Sequence, residues 1–436
     1  MKMENKYDVI IVGAGAGGIS CAYNCGKLGL KTLLIEKNIH AGGLITSGLV
    51  TPVMKLNSMN INTSFYEDLL SYSDKFNARI TYSDNNAGWF NPELLKIVFD
   101  SMLSEQNVDI LYNSQVDCVK YENNVFKISI IQNMLSLYFE STYLVDGTGN
   151  GKIFRELNLE ILKDTTEKQS LSLRFIMCNV DCKKFSEWIK EVDSDENVTT
   201  TCNINGEYHF STAYTWDSNK KWALAPYFSE AITNGVINNT DSAYFQIFTI
   251  PSMPNSVSFN CPRLIKENNN SKNGTIFEQS ELIAEGRRRI FRIAEFCKKY
   301  LKGFENAYIS NIADMLGERE TVRVKGKHIF SVYDIQSGIK PQNIALASDY
   351  PIDVHSDNKD KGVLSYIKHV WYLPLESLIS EKYDNLFVVG RCLSADFKAQ
   401  AAVRTQANCF SMGEAVAKHI YSHKKAQNYL SETTIG

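Results

Sequence analysis

Two apolar runs, YDVIIV at 7–12 and TLLI at 32–35, enclose the stretch GAGAGG and a helix-length segment that closes at Gly29. No other feature restricts the fold as much. A β-branched run, a glycine turn, helical apolar spacing over 19–28 and a second β-branched run make a βαβ unit of about 30 residues. Gly13, Gly15 and Gly18 form GxGxxG between strand and helix. The first permits a tight turn, the second lets backbone approach a pyrophosphate, and the third lets helix and strand pack closely. The helix N-terminus then presents free N–H groups and partial positive charge. Glu36 ends the second strand, 18 residues beyond Gly18, where a carboxylate accepts both ribose hydroxyls. The combination points to an adenine dinucleotide. Glu36 would repel a 2′-phosphate, which disfavours NADP.

FAD and NAD are separated by the next glycine-rich stretch. Gly42 and Gly43, in HAGGLITSGLV, come six residues after Glu36 and bring a second loop of backbone toward the ligand. A longer, flavin-bearing cofactor needs such a loop, whereas NAD does not. With this stretch the chain resembles the flavoprotein class that includes D-amino-acid oxidase, aromatic hydroxylases and fumarate reductase flavoproteins, and is most similar to the bacterial FAD-dependent oxidoreductase family. The resemblance runs nearly end to end: VDGTGNG (145–151), ADMLGERETVRVKG (313–326), YPIDVH (350–355), YLPLESLI (372–379) and the C-terminal block NLFVVGRCLSADFKAQAAVRTQANCFSMGEAVA (385–417) all resemble its segments. One departure is Val322-Arg323, where that family usually carries two adjacent arginines.

The resemblance implies noncovalent FAD held by Gly13, Gly15, Gly18, Glu36, Lys37, Gly42, Gly43, Val116, Asp146, Gly147, Gly390, Arg391, Ala401, Ala402 and Arg404. Gly390 ends a strand beside the flavin, and 401–404 is expected to start the last helix with its dipole toward the flavin. Asp146 orders a loop. Cys392 and His40 are the places for a covalent link if one exists.

The expected fold is α/β: a Rossmann-like FAD-binding domain, discontinuous in sequence (1–155 and 331–425, with a tail at 426–436), and an inserted, mostly antiparallel α+β substrate domain at 156–330. Strand-like segments such as SLSLRFIMCNVD and SAYFQIFTI fill 161–262, KENNNSKNG (266–274) reads as a surface loop, and 278–301 reads as a long helix with Leu282, Gly286, Ile290, Ile293, Cys297 and Leu301 on one face. Arg287-Arg288-Arg289 is taken as a solvated face of that helix, and 404–419 as the terminal helix.

FAD carries out the hard step, and the protein supplies position, charge and a proton. His355 is the acid/base candidate, because it lies in the family-like YPIDVH segment and histidine titrates near neutrality; a structural histidine is the other reading. Arg319 and Arg323 are catalytic-site candidates that either hold an anionic group of the substrate bidentately or pair internally with Glu318 or Glu320.

Several function classes are excluded. Lys and Arg number 46 against 49 Asp and Glu, so no net field recruits nucleic acid or an anionic membrane. No apolar run reaches the ~20 residues of a membrane span, and the early first strand leaves no room for a signal peptide, so a cytoplasmic protein is expected. The ten cysteines show no metal-like spacing, and no metal is expected. Without a second GxGxxG, a close cysteine pair or iron–sulfur spacing, electrons pass from FAD to a small acceptor, oxygen or a separate protein. The reaction expected is two-electron transfer between FAD and a small organic substrate between the two domains. Its rivals are a FAD-dependent monooxygenase and a dinucleotide-fold binding module without redox turnover.

Overall fold

In a computed structural model, residues 5–55, 60–162, 168–213, 222–265, 275–355 and 363–433 are described. The KENNNSKNG segment lies outside them. Strand β1 (Lys6–Val12), helix α1 (Ala16–Lys27) and strand β2 (Thr32–Ile35) form the βαβ unit. β1 pairs in parallel with β2 on one side and with the long strand Leu135–Asp146 on the other. Asp109–Leu111 extends the sheet beyond β2, and Leu386–Val388 returns from far down the chain to lie parallel to Leu135–Asp146. The chain thus leaves β1 toward one side and comes back on the other. That is the topological switch point where open α/β sheets bind ligands, at the carboxyl end of the strands.

All four β2 residues are buried, as are Val9 to Val12, which explains their unbroken apolar character. The first half of Leu135–Asp146 turns away into an antiparallel meander with Val125–Gln132 and Gln115–Glu122. Here apolar and polar residues alternate, because one face meets solvent. Helix Pro92–Glu105 starts where Asn91 and Pro92 predict: the Asn91 side chain accepts from the amides of Glu93 and Leu94 at 2.9 and 3.2 Å, a cap that contributes about 1 kcal/mol.

A second sheet, antiparallel throughout, runs in the order Thr199–Ile204, Glu207–Ala213, Gln246–Thr249, Val257–Phe259, Phe175–Cys178, Tyr308–Ile312. Its own apolar core includes the stacked pair Phe175 and Phe259, with centroids 4.2 Å apart. Helix Thr275–Tyr300 covers it, burying Ile290, Ile293 and Cys297 as the periodicity predicts. The arginine run does not lie wholly in solvent. Arg287 and Arg288 are exposed, but Arg289 is buried against Asp241, because the helix turns that position inward.

The C-terminal segment also differs from expectation. A short helix, Phe397–Val403, precedes the last helix, Gln406–Thr433. Ala401 and Ala402 therefore end a helix rather than begin one. Asp396 starts the short helix by accepting the Ala399 amide at 2.7 Å, and the chain breaks at Arg404 and Thr405. The last helix packs along α1, where Ser20 donates to the Phe410 carbonyl at 2.6 Å.

Candidate functional site

At the end of β1 the chain turns through Gly13, whose φ of +98° is one that side chains rarely adopt. A Cβ at Gly18 would sit 1.9 Å from the Gly13 carbonyl oxygen, so the turn and the helix start tolerate no side chain there. Gly15 caps α1 without any side-chain hydrogen bond, leaving the first amides of a 12-residue helix for an anion. The carboxylate of Glu36 is buried and accepts from Ala14 N at 2.7 Å and from Asn38 N at 2.9 Å. It is thereby fixed beside the glycine turn. Lys37 beside it is exposed, and Val116 is buried in the meander strand just beyond Ser114, whose amide binds the Glu36 carbonyl at 3.0 Å.

The second glycine loop meets the first backbone to backbone: Gly42 N donates to Ala14 O at 2.9 Å, and a Cβ on Gly43 would lie 3.0 Å from Gly15 Cα. Gly147 closes a third side, facing the Gly13 carbonyl. Asp146, fully buried, accepts from Thr148 N, Thr148 Oγ1 and Ile153 N at 3.0, 2.5 and 2.9 Å, which ties the loop 147–151 down. Burial pushes its carboxyl up from the ordinary value, and these hydrogen bonds oppose the shift. At Gly390 the backbone takes φ +90°, and no atom lies within 4 Å of where a Cβ would point. An uncapped helix start, a fixed carboxylate, three backbone walls and open space at Gly390 fit an extended dinucleotide.

Arg391 is engaged with backbone. Its Nε donates to Gly149 O at 2.9 Å and its Nη1 to Glu318 O, so it fastens the 147–151 loop to the 318 segment. Arg323 likewise donates Nη1 to Ala395 O at 3.0 Å from the strand Arg323–Val324. His40 contacts Ala41 O and Thr46 Oγ1 through Nδ1, and Cys392 is a fully buried thiol pushed up to about 12 by burial.

His355 and Arg319 belong to a different assembly, at the seam between the two sheets. Arg263 Nη2 lies 2.7 Å from His355 Nδ1, and His355 Nε2 lies 2.9 Å from Asp353 Oδ2. Arg404 Nη2 reaches Asp353 O at 3.1 Å and Gln169 Oε1 at 3.2 Å. Arg319 Nη1 donates to Ser170 O at 2.7 Å, and Ser170 N in turn donates to His355 O at 2.9 Å. The Arg263 guanidinium carbon also lies over Tyr244, 3.9 Å from the ring centroid. Arg174 donates Nη1 to the carbonyls of Leu49 and Thr51 at 3.1 and 3.2 Å. Gln400 spans the rest, donating to Arg319 O and Arg391 O at 3.0 and 3.1 Å. The loop after Gly43 and the block after Gly390 thus meet the antiparallel sheet through arginines.

The electrostatics stem from this crowding. Burial lowers the Arg319 guanidinium to about 9, and the neighbouring Arg404 and Arg263 act in the same sense. Burial lowers Arg174 to about 10. His355 is held well below its ordinary value by burial and by Arg319, against the pull of Asp353. Burial would raise the Asp353 carboxyl, but His355, Arg404 and Arg319 outweigh it and hold it low. A guanidinium only donates, so His355 Nδ1 is the acceptor and its single proton sits on Nε2, facing Asp353. Both ring nitrogens are engaged.

Sequence reasoning missed Arg174, Arg263, Asp353 and Tyr244. A signal existed for Arg174, a lone charge inside the apolar run SLSLRFIMC, and for Asp353, two residues before His355. Open clefts of about 240 and 320 Å³ lie around Asp181 and Asn255 and hold none of the residues gathered at the seam. Among the described residues there is no cluster of three metal-ligating side chains, and no helix is long and apolar enough to cross a membrane.

The chain is 37% identical over 89 residues (19% of its length) to a thioredoxin reductase of Treponema pallidum (strain Nichols). It is 26% identical over 188 residues (40% of its length) to a probable electron transfer flavoprotein-quinone oxidoreductase of Escherichia coli (strain K12). It spans 27% and 43% of the length of these two relatives. Among solved structures, a geranylgeranyl bacteriochlorophyll reductase-like protein from Thermoplasma acidophilum aligns with a TM-score of 0.48 at 14% identity, covering 98% of this chain and 80% of that one. Residues 8–427 match the pattern of the family described as FAD dependent oxidoreductase, and the chain belongs to that family and takes FAD as its cofactor.

Proposed function

We propose that the protein carries out two-electron transfer between FAD and a small organic substrate lying at the seam between the parallel and antiparallel sheets. The observation that carries this reading is the linked series Arg263, His355, Asp353, Arg404. It is drawn from separate stretches of the chain and, through Arg319 and Gln400, abuts the block after Gly390. Ligand sites favour such junctions, and clustered, perturbed titratable groups favour function over packing.

When bound, FAD supplies the redox chemistry at its flavin ring. Glu36 and the amides at the start of α1 would hold the nucleotide end, and Asp146 fixes the loop 147–151 beside the glycine turn. At the seam, Arg319 and Arg404 supply fixed positive charge where negative charge on the substrate or on the reduced cofactor is stabilised. His355 stays neutral, accepts from Arg263 at Nδ1 and donates a hydrogen bond from Nε2 to the Asp353 carboxylate, which holds both neighbours in place. In this reading His355 is a positioning residue. Arg323 and Arg391 hold backbone rather than substrate.

The test is anaerobic. The FAD-loaded protein is mixed with amines, hydroxy acids and other reduced organic acids, and the flavin band is followed, while unsaturated acids are tried as oxidants of the reduced protein. Bleaching or reoxidation by a single compound supports the proposal. Strong NAD(P)H-driven oxygen uptake with a hydroxylated product would replace it with a monooxygenase, and protein that never takes up FAD would replace it with a binding module.

A further inference from the structure

Resting on that reading, we propose that the substrate carries at least two negative charges, held by the guanidinium groups of Arg174, Arg263, Arg319 and Arg404. The charge balance at the seam motivates this. Among the described residues, the guanidinium groups of Arg263, Arg319 and Arg404 act on one carboxylate, Asp353, and a neutral imidazole, His355, and Arg174 stands beside Arg319 and Tyr244. Counting also Glu320, whose carboxylate accepts from Gln169 N at 3.2 Å at the edge of the group, leaves an excess of two positive charges among the described residues. Glu318 is already engaged with Arg391 at 3.7 Å.

Arg174 is 8% exposed, and its Nε has no hydrogen-bond partner among the described residues; the Nε atoms of Arg263 and Arg404 are in the same position. Buried donors are nearly always satisfied, and buried like charges are costly unless paired. The group is also partly open: the side chains of Arg404, Asp353 and His355 keep 15%, 21% and 21% of their surface accessible. Guanidinium forks match carboxylate and phosphate oxygens in a way that an ammonium does not. A monocarboxylate would leave one positive charge uncompensated, whereas two carboxylates, or one phosphate monoester, compensate both.

The experiment uses the FAD-loaded protein, so the cofactor's own phosphates are already seated. Malonate, succinate, methyl phosphate, acetate and succinamide are titrated by calorimetry and by the shift of the flavin spectrum. Saturable binding of a dianion at least tenfold tighter than acetate, with no binding of succinamide, supports the inference, and the ranking of malonate and succinate against methyl phosphate tells carboxylates from phosphate. Arg263→Met and Arg319→Met each weaken the dianion at least tenfold, Arg263→Lys falls between, and Arg287→Met, on the exposed helix face, changes nothing. Acetate binding as tightly as malonate, or no saturable binding of any anion to the folded wild-type protein, overturns it without any variant. Reduction of bound FAD only by neutral or cationic compounds overturns the charge assignment and leaves the redox reading intact. Tight malonate binding to a protein whose flavin no compound reduces supports the anion site and counts against the redox reading.

Discussion

Arg263 and His355 meet end to end, guanidinium Nη2 to imidazole Nδ1 at 2.7 Å, and this contact fixes the His355 tautomer. Because the guanidinium donates this hydrogen bond, His355 Nδ1 accepts it as an unprotonated nitrogen, the ring is neutral, and its one proton, on Nε2, is donated in a hydrogen bond to Asp353. The folded pKa of His355 is below its ordinary value, so the unfolded chain binds more protons as the pH falls below about 6.5. Stability from this group is therefore present above that pH and is lost as the pH drops through the window beneath it. The lowered Asp353 carboxyl acts in the same sense at lower pH, below about 4. Each such proton contributes a slope of up to ~1.4 kcal/mol per pH unit. His209 and His419 are also lowered by burial, so His355→Gln removes only a share of the slope between pH 4.5 and 6.5. Chemical denaturation across that range checks it, and an unchanged slope would count against a neutral His355. The rate profile of flavin reduction or reoxidation by the substrate should carry no ionisation from His355 near pH 6.5.

Gly15 separates cofactor binding from folding. A Cβ there meets nothing closer than the Gly147 carbonyl oxygen at 3.9 Å, whereas at Gly18 it would collide with the Gly13 carbonyl oxygen. Gly15→Ala is expected to melt with the wild type in the absence of FAD, yet bind FAD at least tenfold more weakly, read from flavin fluorescence quenching. Gly18→Ala is expected to lose both, since overpacking against backbone costs roughly 1–3 kcal/mol or more. If Gly15→Ala binds FAD as the wild type does, the pyrophosphate lies elsewhere.

The βαβ unit, Glu36 and the helix Thr275–Tyr300 were legible because each is specified locally: strand, turn and helix signals lie within one stretch of chain. The antiparallel character of the second sheet was legible in class but not in order, since Phe175–Cys178 lies between Val257–Phe259 and Tyr308–Ile312, a long-range choice made by the core. The seam was half legible. His355 and Arg319 stand in recognisable segments, whereas Arg263 and Arg174 reach them only through folding, and single-sequence patterns carry no signal for such meetings. The short helix Phe397–Val403 was missed because the terminal helix was expected to start only at 401–404, whereas the Asp396 cap marks an earlier start and the chain breaks at Arg404 and Thr405.

Cys392 and His40 bear on how FAD is attached. The Cys392 thiol is fully buried and pushed up to about 12 by burial, so almost none of it is thiolate at neutral pH, and the thiolate is the nucleophile. His40 Nδ1 is engaged with Ala41 O and Thr46 Oγ1. Denaturation in dodecyl sulfate is expected to release all FAD, leaving no fluorescent protein band, and Cys392→Ala is expected to retain the yellow holoprotein. A fluorescent band that Cys392→Ala abolishes would reverse this.

Arg289 connects stability to the seam. Its Nε pairs with Asp241 at 2.8 Å, and its Nη1 holds the backbone carbonyl of Arg263 at 2.7 Å. The Asp241 side chain has no accessible surface, and Arg292 Nε binds its other oxygen at 2.7 Å. Burial would raise that carboxyl, but Arg292 and Arg289 outweigh it and hold it below its ordinary value. Removing one partner of a buried pair costs about 3–5 kcal/mol. With Arg292 still in place, Arg289→Met should fall at the low end, about 3 kcal/mol, while Arg287→Met on the solvent side should stay within ~0.5 kcal/mol. The substitution also frees the Arg263 carbonyl, so KM for the substrate is expected to rise severalfold with kcat little changed, because Arg263 is displaced while FAD and its loops are not. Urea unfolding and steady-state kinetics on the two variants separate these effects. Equal stabilities for Arg289→Met and Arg287→Met would mean that the Asp241 network contributes nothing to the fold.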